Sequence, residues 1–151
     1  MGVITSGPSG DFRPAWSPDS SKVGFDRDCA IYTVNRDGSG LTKLIIRAGC
    51  VGDAAWSPDG TEIGFWNSDR LALQAFDLRT KKVTTIATGA ALGDDPSAER
   101  LAGWSPDGQW LAVGACCDIS GGVGMVLESA DGSTIVPVPN ADHGMAAAWH
   151  A

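Results

Sequence analysis

A repeated five-residue motif constrains the fold of this chain more than any other feature of its sequence. Trp16-Ser17-Pro18-Asp19-Ser20 returns as Trp56-Ser57-Pro58-Asp59-Gly60 and again as Trp104-Ser105-Pro106-Asp107-Gly108. The motif tryptophans therefore lie 40 and 48 residues apart, and Trp149 begins a fourth, partial copy 45 residues after Trp104. A period of this length is typical of architectures in which one small supersecondary unit is repeated.

The residues after each motif follow the period of a β-strand. Large apolar residues stand seven and nine positions after each tryptophan with a small residue between them, as in Val23-Gly24-Phe25, Ile63-Gly64-Phe65 and Leu111-Ala112-Val113. Such alternation predicts a strand, and the Ser-Pro-Asp-Gly segment before it predicts a tight turn. Further turn and strand signals in each unit predict four short antiparallel strands, which is the blade of a β-propeller.

We therefore predict an all-β fold, with three four-stranded blades at about 11–47, 51–88 and 99–139. Partial strands are expected at 2–6 and 145–151, and residues 1–151 form a single propeller segment. A β-sandwich is the alternative, but that fold does not require the repeated motif. Since three blades do not close a ring, the prediction is an incomplete ring: a fragment of a longer propeller, which we favour, or a chain whose copies complete a ring together.

The segment from Pro14 to Asp19, followed by Val23-Gly24-Phe25 and by Ile31 to Gly38, resembles the WD-repeat-like blade of the TolB-like propellers. Similar blades occur in prolyl-oligopeptidase-type and tricorn-type peptidases. The resemblance covers the chain from about Asp11 onward and implies a circular propeller that docks proteins or covers a separate catalytic domain. We expect a non-catalytic scaffold for protein–protein interaction. The alternatives are a propeller segment of a serine peptidase and a propeller that binds a sugar or another small ligand.

The recurring motif residues are interpreted as structural. Asp19, Asp59 and Asp107 each lie inside a tight turn, where a carboxylate hydrogen-bonds its own backbone. The motif tryptophans are interpreted as blade-packing residues. The structural set comprises Trp16, Pro18, Asp19, Trp56, Pro58, Asp59, Gly60, Trp104, Pro106, Asp107, Gly108 and Trp149.

Little in the sequence indicates catalysis. The two histidines are His143 and His150, and the Gly-x-Ser-x-Gly pattern of a nucleophilic serine does not occur. We expect no enzyme activity, no cofactor and no metal. A net charge of −7 disfavours nucleic acid as a partner, and no apolar run is long enough to insert into a membrane.

Charged residues cluster in the loops that precede the first strand and follow the second strand of each blade. These loops leave a propeller on one face, which we interpret as a surface for a protein partner. The residues assigned to it are Arg27, Asp28, Arg47, Asp69, Arg70, Asp94 and Asp95. A solvated rim without a partner is the alternative.

The four cysteines fall in loops on that same face. Cys29 and Cys50 are close enough in blade order to form a disulfide, which would place the protein in the periplasm or outside the cell. Free thiols in the cytoplasm are the alternative, and Cys116 and Cys117 complete the set.

Overall fold

The computed structural model describes residues 4–7, 9–44, 50–88, 100–116 and 123–138. These residues form twelve β-strands and no helix. The strands are β1 (Phe12–Trp16), β2 (Lys22–Arg27), β3 (Ala30–Asn35), β4 (Thr42–Lys43), β5 (Val51–Trp56), β6 (Glu62–Asn67), β7 (Ala72–Asp77), β8 (Val83–Thr88), β9 (Arg100–Trp104), β10 (Trp110–Cys116), β11 (Val123–Ser129) and β12 (Ile135–Val138).

The strands form three separate antiparallel sheets of four, each paired in chain order: β1 to β4, β5 to β8 and β9 to β12. We call these sheets blades 1, 2 and 3. First strands pack against first strands, with β5 against both β1 and β9. The predicted all-β propeller architecture is confirmed, and the described blades do not close into a ring.

Two apolar cores lie between the blades. Ile31 of blade 1 joins Ile63, Phe65 and Phe76 of blade 2 in the first core. In the second, Leu73 and Trp66 of blade 2 pack with residues of blade 3 that include Leu111, Val113 and Trp104. The residues that form them alternate along the strands, because successive side chains point to opposite faces of a sheet.

The motif tryptophans join one blade to the next. The indole Nε1 of Trp56 donates to the carbonyl of Ala15 at 3.2 Å, and that of Trp104 donates to the carbonyl of Ala55 at 3.2 Å. A methyl group added at Gly24 would lie 3.0 Å from Trp56 Nε1, which explains the glycine at this position of blade 1. Trp16 starts the first described blade and is 56% exposed.

The motif turns use their polar side chains internally. Ser57 Oγ donates to Asp59 at 2.7 Å, Asp59 accepts from the backbone N–H of Thr61 at 3.0 Å, and Ser57 Oγ accepts from the N–H of Glu62 at 2.9 Å. Blades 1 and 3 repeat this network around Asp19 and Asp107. These hydrogen bonds lower the pKa of all three aspartates, that of Asp19 to about 2.

Two predicted strands differ from the structure. The strand expected at 2–6 is absent over its described part, since residues 4–6 have no strand conformation. These residues run beside the turn that joins β3 and β4, where the Ile4 carbonyl lies close to Gly38. The fourth strand of the blade predicted at 11–47 is limited to Thr42–Lys43 in the described residues. The strand expected at 145–151, with Trp149, lies outside them.

Candidate functional site

The predicted partner face lies at the end of the blades that carries the β2–β3 and β6–β7 turns. The β2–β3 turn has two central residues, Asp28 and Cys29, with φ of 49° and 56°. Two successive residues with positive φ define a type I′ turn, which is normally made by Asn-Gly or similar pairs. The hairpin tip is therefore built from side-chain-bearing residues in a conformation that is costly without glycine.

A disulfide holds this tip to the following blade. Cys29 and Cys50 are joined with their Cα atoms 4.3 Å apart. The N–H of Val51 donates to the Cys29 carbonyl at 3.3 Å, and both the N–H and the hydroxyl of Ser68 donate to the Cys50 carbonyl, at 3.0 and 2.8 Å. The β2–β3 turn, the start of β5 and the β6–β7 turn thus form one connected surface, which we call the disulfide face.

Three of the charged residues assigned to a partner are exposed on the disulfide face. These are Asp28, Asp69 and Arg70. Asp69 Oδ1 also accepts from the N–H of Cys50 at 3.3 Å, and the Arg70 N–H donates to Asn67 Oδ1 at 3.2 Å, so the β6–β7 turn has a defined conformation. Arg47, Asp94 and Asp95 lie outside the described residues.

Arg27 differs from the expectation of an exposed loop residue. Its side chain is 8% exposed and pairs with Asp11, with Nε and Oδ1 2.5 Å apart. The guanidinium also lies over the rings of Phe25 and Tyr32, 5.2 and 5.5 Å from their centroids. Arg27 is the last residue of β2, and its side chain lies on the same face of blade 1 as that of Phe25, two residues earlier. It therefore does not project from the loop.

An ion-pair cluster that joins β1, β2 and β5 was not predicted. Arg13 Nη1 contacts Asp26 Oδ2 at 2.9 Å and Arg13 Nε contacts Asp53 Oδ1 at 2.8 Å, which joins blade 1 to blade 2. The pKa of Arg13 is raised, chiefly by its hydrogen bond to Asp26. Arg13 and Asp53 both have positive φ, 49° and 59°, at the irregularities in the pairing of β1 and β5. A bulge of this kind redirects a side chain, and the motif spacing, with both residues three before a tryptophan, is the signal that could have shown it.

The described residues contain no group of three or more His, Cys, Asp or Glu side chains able to hold a metal ion. Trp66, which could have provided a stacking surface, is 5% exposed and belongs to the core between blades 2 and 3. No helix in this part of the chain is long and apolar enough to cross a membrane.

Two clefts open at the opposite end of the blades, beside the motif turns. The cleft between blades 1 and 2 has a volume of about 570 Å³ and is lined by both Pro18 and Pro58, with Trp56 and Lys81. The cleft between blades 2 and 3 has a volume of about 620 Å³. The carboxylates in these clefts are those of the turn residues Asp19, Asp59 and Asp107 and that of Glu62 on β6.

No protein-family model matches the sequence, and no curated protein matches it. The fold does match solved structures. TolB from Acinetobacter baumannii superposes with a TM-score of 0.72 at 20% identity, over 89% of this chain and 33% of that one. The tricorn protease gives 0.69 at 18% identity, over 87% of this chain and 13% of the protease.

An oligogalacturonate lyase solved in complex with manganese gives a TM-score of 0.66 at 19% identity, over 95% of this chain and 39% of the lyase. The chain thus spans about a third of the TolB structure and less of the protease. These neighbours include proteins of different activities, and what they share with this chain is the blade architecture. The chain has the fold of a segment of a TolB-like β-propeller.

Proposed function

We propose that this chain is a non-catalytic propeller segment that acts as a scaffold for protein–protein interaction and binds its partner through the disulfide face. The observation that carries the proposal is the Cys29–Cys50 disulfide, which connects the tip of the β2–β3 hairpin to the start of β5, where Ser68 of the β6–β7 turn hydrogen-bonds to Cys50. Binding residues are often displayed on loops held by a rigid scaffold. A surface whose loops are already ordered loses little conformational entropy when it binds.

The charges on this face support a protein partner. Exposed Asp28, Asp69 and Arg70 present both signs of charge within two adjacent turns. Mixed charge provides specificity and orients a partner during encounter. A net charge of −7 opposes the phosphate backbone of nucleic acid.

The proposal that the segment is non-catalytic is supported by the use of its recurring carboxylates. Asp19, Asp59 and Asp107 each accept hydrogen bonds within their own turns, which lower the pKa of each carboxyl. A group held ionised by structural donors is a poor general base at neutral pH. Asp26 and Asp53 are paired with Arg13 and join two blades.

An oxidising compartment, the periplasm or the cell exterior, is the location that we propose. The disulfide supports it, because such bonds persist mainly outside the cytosol. We also propose that further blades, from a longer chain or from a second copy, cover the exposed indole of Trp16. Sedimentation equilibrium over a range of concentrations distinguishes these two sources.

The binding proposal is tested by exchanging charges on the disulfide face. Partners captured by the wild-type chain from a periplasmic or secreted fraction are identified, purified and titrated against the variant D69R/R70E. We expect at least a tenfold weaker affinity, since two charge contacts at an interface contribute more than about 1.4 kcal/mol when both are reversed.

The variant R36E/D37R is the matched control. It exchanges the same two charges in the β3–β4 turn, at the opposite end of the blades. Asp37, like Asp69, accepts a backbone N–H, in this case from Ser39 at 2.9 Å, so the cost to the turn is comparable. Equal affinity for D69R/R70E and the wild-type chain, or an equal loss in both variants, contradicts binding through the disulfide face.

A further inference from the structure

Glu128 occupies a core position of the repeat. In the paired second and third strands of each blade, Val23 lies opposite Val34, Ile63 opposite Phe76, and Leu111 opposite Glu128. The first two blades thus place an apolar side chain where blade 3 places a carboxyl group. Val34 and Phe76 are 1% and 5% exposed, and Glu128 is 1% exposed.

The carboxyl group of Glu128 lies at the interface between blades 2 and 3. Its cross-strand neighbour Leu111 belongs to the core that these blades share, and Val126, two residues earlier on β11, packs against the same core. Neither Oε1 nor Oε2 has a hydrogen-bond partner among the described residues. A buried carboxylate without a donor is strongly unfavourable, whereas the neutral acid is tolerated.

The charged neighbour that affects the Glu128 carboxyl group is acidic. Asp131, in the β11–β12 turn, is held ionised by hydrogen bonds from Ser133 and Ser129. Glu62, Asp59 and Asp107 line the cleft between blades 2 and 3. Desolvation raises the pKa of Glu128 above its ordinary value of 4.5, and the charge of Asp131 raises it further.

Basic residues do not line that cleft. Lys81, in the β7–β8 turn, lines the cleft between blades 1 and 2. The core around Glu128 includes residues of β5, β6, β7, β8, β9, β10 and β12. The charged residues of these strands are Asp53, Glu62, Asp77 and Arg100, and Arg100 pairs with Gly114, three residues along β10 from Leu111. Among the described residues, no cation pairs with the carboxyl group of Glu128.

We propose that the contact between blades 2 and 3 is a pH-sensitive joint controlled by Glu128. Below the pKa of Glu128 the neutral carboxyl stays buried and the two blades remain packed. Above it, ionisation favours conformations in which blade 3 separates from blade 2, because separation returns the carboxylate to water. By linkage, the equilibrium constant for separating blades 2 and 3 rises by up to about tenfold for each pH unit. This rise occurs between the ordinary pKa of a glutamate carboxyl and the raised pKa of Glu128 in the packed state.

Hydrogen exchange detected by mass spectrometry tests this joint. Protection factors, corrected for the intrinsic pH dependence of exchange, are measured from pH 4 to pH 9 for segments of β8, β10 and β11. We expect protection in the wild-type chain to fall by about tenfold or more as the pH rises. In E128Q and in E128L, which cannot ionise, the profile is flat, and β2 and β3 show no change in any of the three proteins.

E62Q is the matched control, because it removes a carboxylate from the neighbouring cleft and leaves Glu128 in place. It retains the pH-dependent loss of protection. If one Glu128 variant does not fold, the other provides the comparison. A wild-type profile that is flat, or that E128Q and E128L reproduce, overturns the proposal, and so does a loss of the effect in E62Q with its retention in E128Q.

Discussion

Replacing both Cys29 and Cys50 by serine should lower the stability of the chain without changing its strands. Both cysteines are exposed, so the substitution leaves no cavity in a core. The disulfide closes a loop with a sequence separation of 21 and connects the tip of one blade to the first strand of the next. Loss of the disulfide raises the conformational entropy of the unfolded chain and so favours unfolding.

The loop length sets the size of the effect. In the chain-entropy treatment, a cross-link over about 21 residues stabilises the folded state by about 3 kcal/mol at 25 °C. For a chain of this size, a change of that magnitude corresponds to a decrease in Tm of roughly 6–12 °C.

Thermal and urea unfolding of the wild-type chain and the C29S/C50S variant, each with and without reductant, measures this difference. The reductant should destabilise the wild-type chain to the level of the variant and leave the variant unchanged. Far-ultraviolet circular dichroism of the folded variant reports whether the strands persist. A variant as stable as the oxidised wild-type chain, within about 0.5 kcal/mol, would refute the reasoning from loop closure.

Three further predictions concern the repeat. Ser20 has φ of 57° where the other motif turns use glycine. In urea unfolding, Ser20→Gly should raise the free energy of unfolding by about 0.5–1 kcal/mol, and the reciprocal Gly60→Ser should lower it. Trp104→Phe removes the hydrogen bond to blade 2 and should cost about 1–2 kcal/mol in the same assay, whereas Trp16→Phe, at a 56% exposed position, should cost close to nothing. The pKa of the Asp19 carboxyl in the folded chain is about 2, below its ordinary value of 3.8. The ionised carboxylate therefore stabilises the fold above pH 3.8, and this stabilisation is lost as the pH falls through the folded pKa. In urea unfolding, Asp19→Asn should lose less stability between about pH 4 and pH 2 than the wild-type chain does.

The fold was largely predictable because its signals are local. Ser57, Pro58, Asp59 and Gly60 form a turn through hydrogen bonds within a few residues, and the same chemistry recurs at fixed spacing. The alternation of Ile63 and Phe65 then places one face of the following strand in a core. Such features depend on neighbours in the chain, so the sequence shows them directly.

The candidate site was predictable only in part. Loop position correctly placed Cys29 and Cys50 on one end of the blades and Asp69 in an exposed turn. It failed for Arg27, because whether a strand-terminal side chain projects into solvent or lies across its own sheet depends on what packs there. The Arg13 cluster was missed because it depends on the backbone irregularities in β1 and β5.

By itself, the sequence determined the all-β class, the blade repeat, the motif turns and the strand faces, since each follows from turn chemistry and a two-residue period. The tertiary structure decided how one blade contacts the next. It showed that the indoles of Trp56 and Trp104 reach the backbone of the preceding blade, that Cys29 pairs with Cys50, and that Glu128 is buried with no hydrogen-bond partner in the described part of the chain. These features join residues from different blades, and their energies depend on burial and distance, which a linear spacing does not contain.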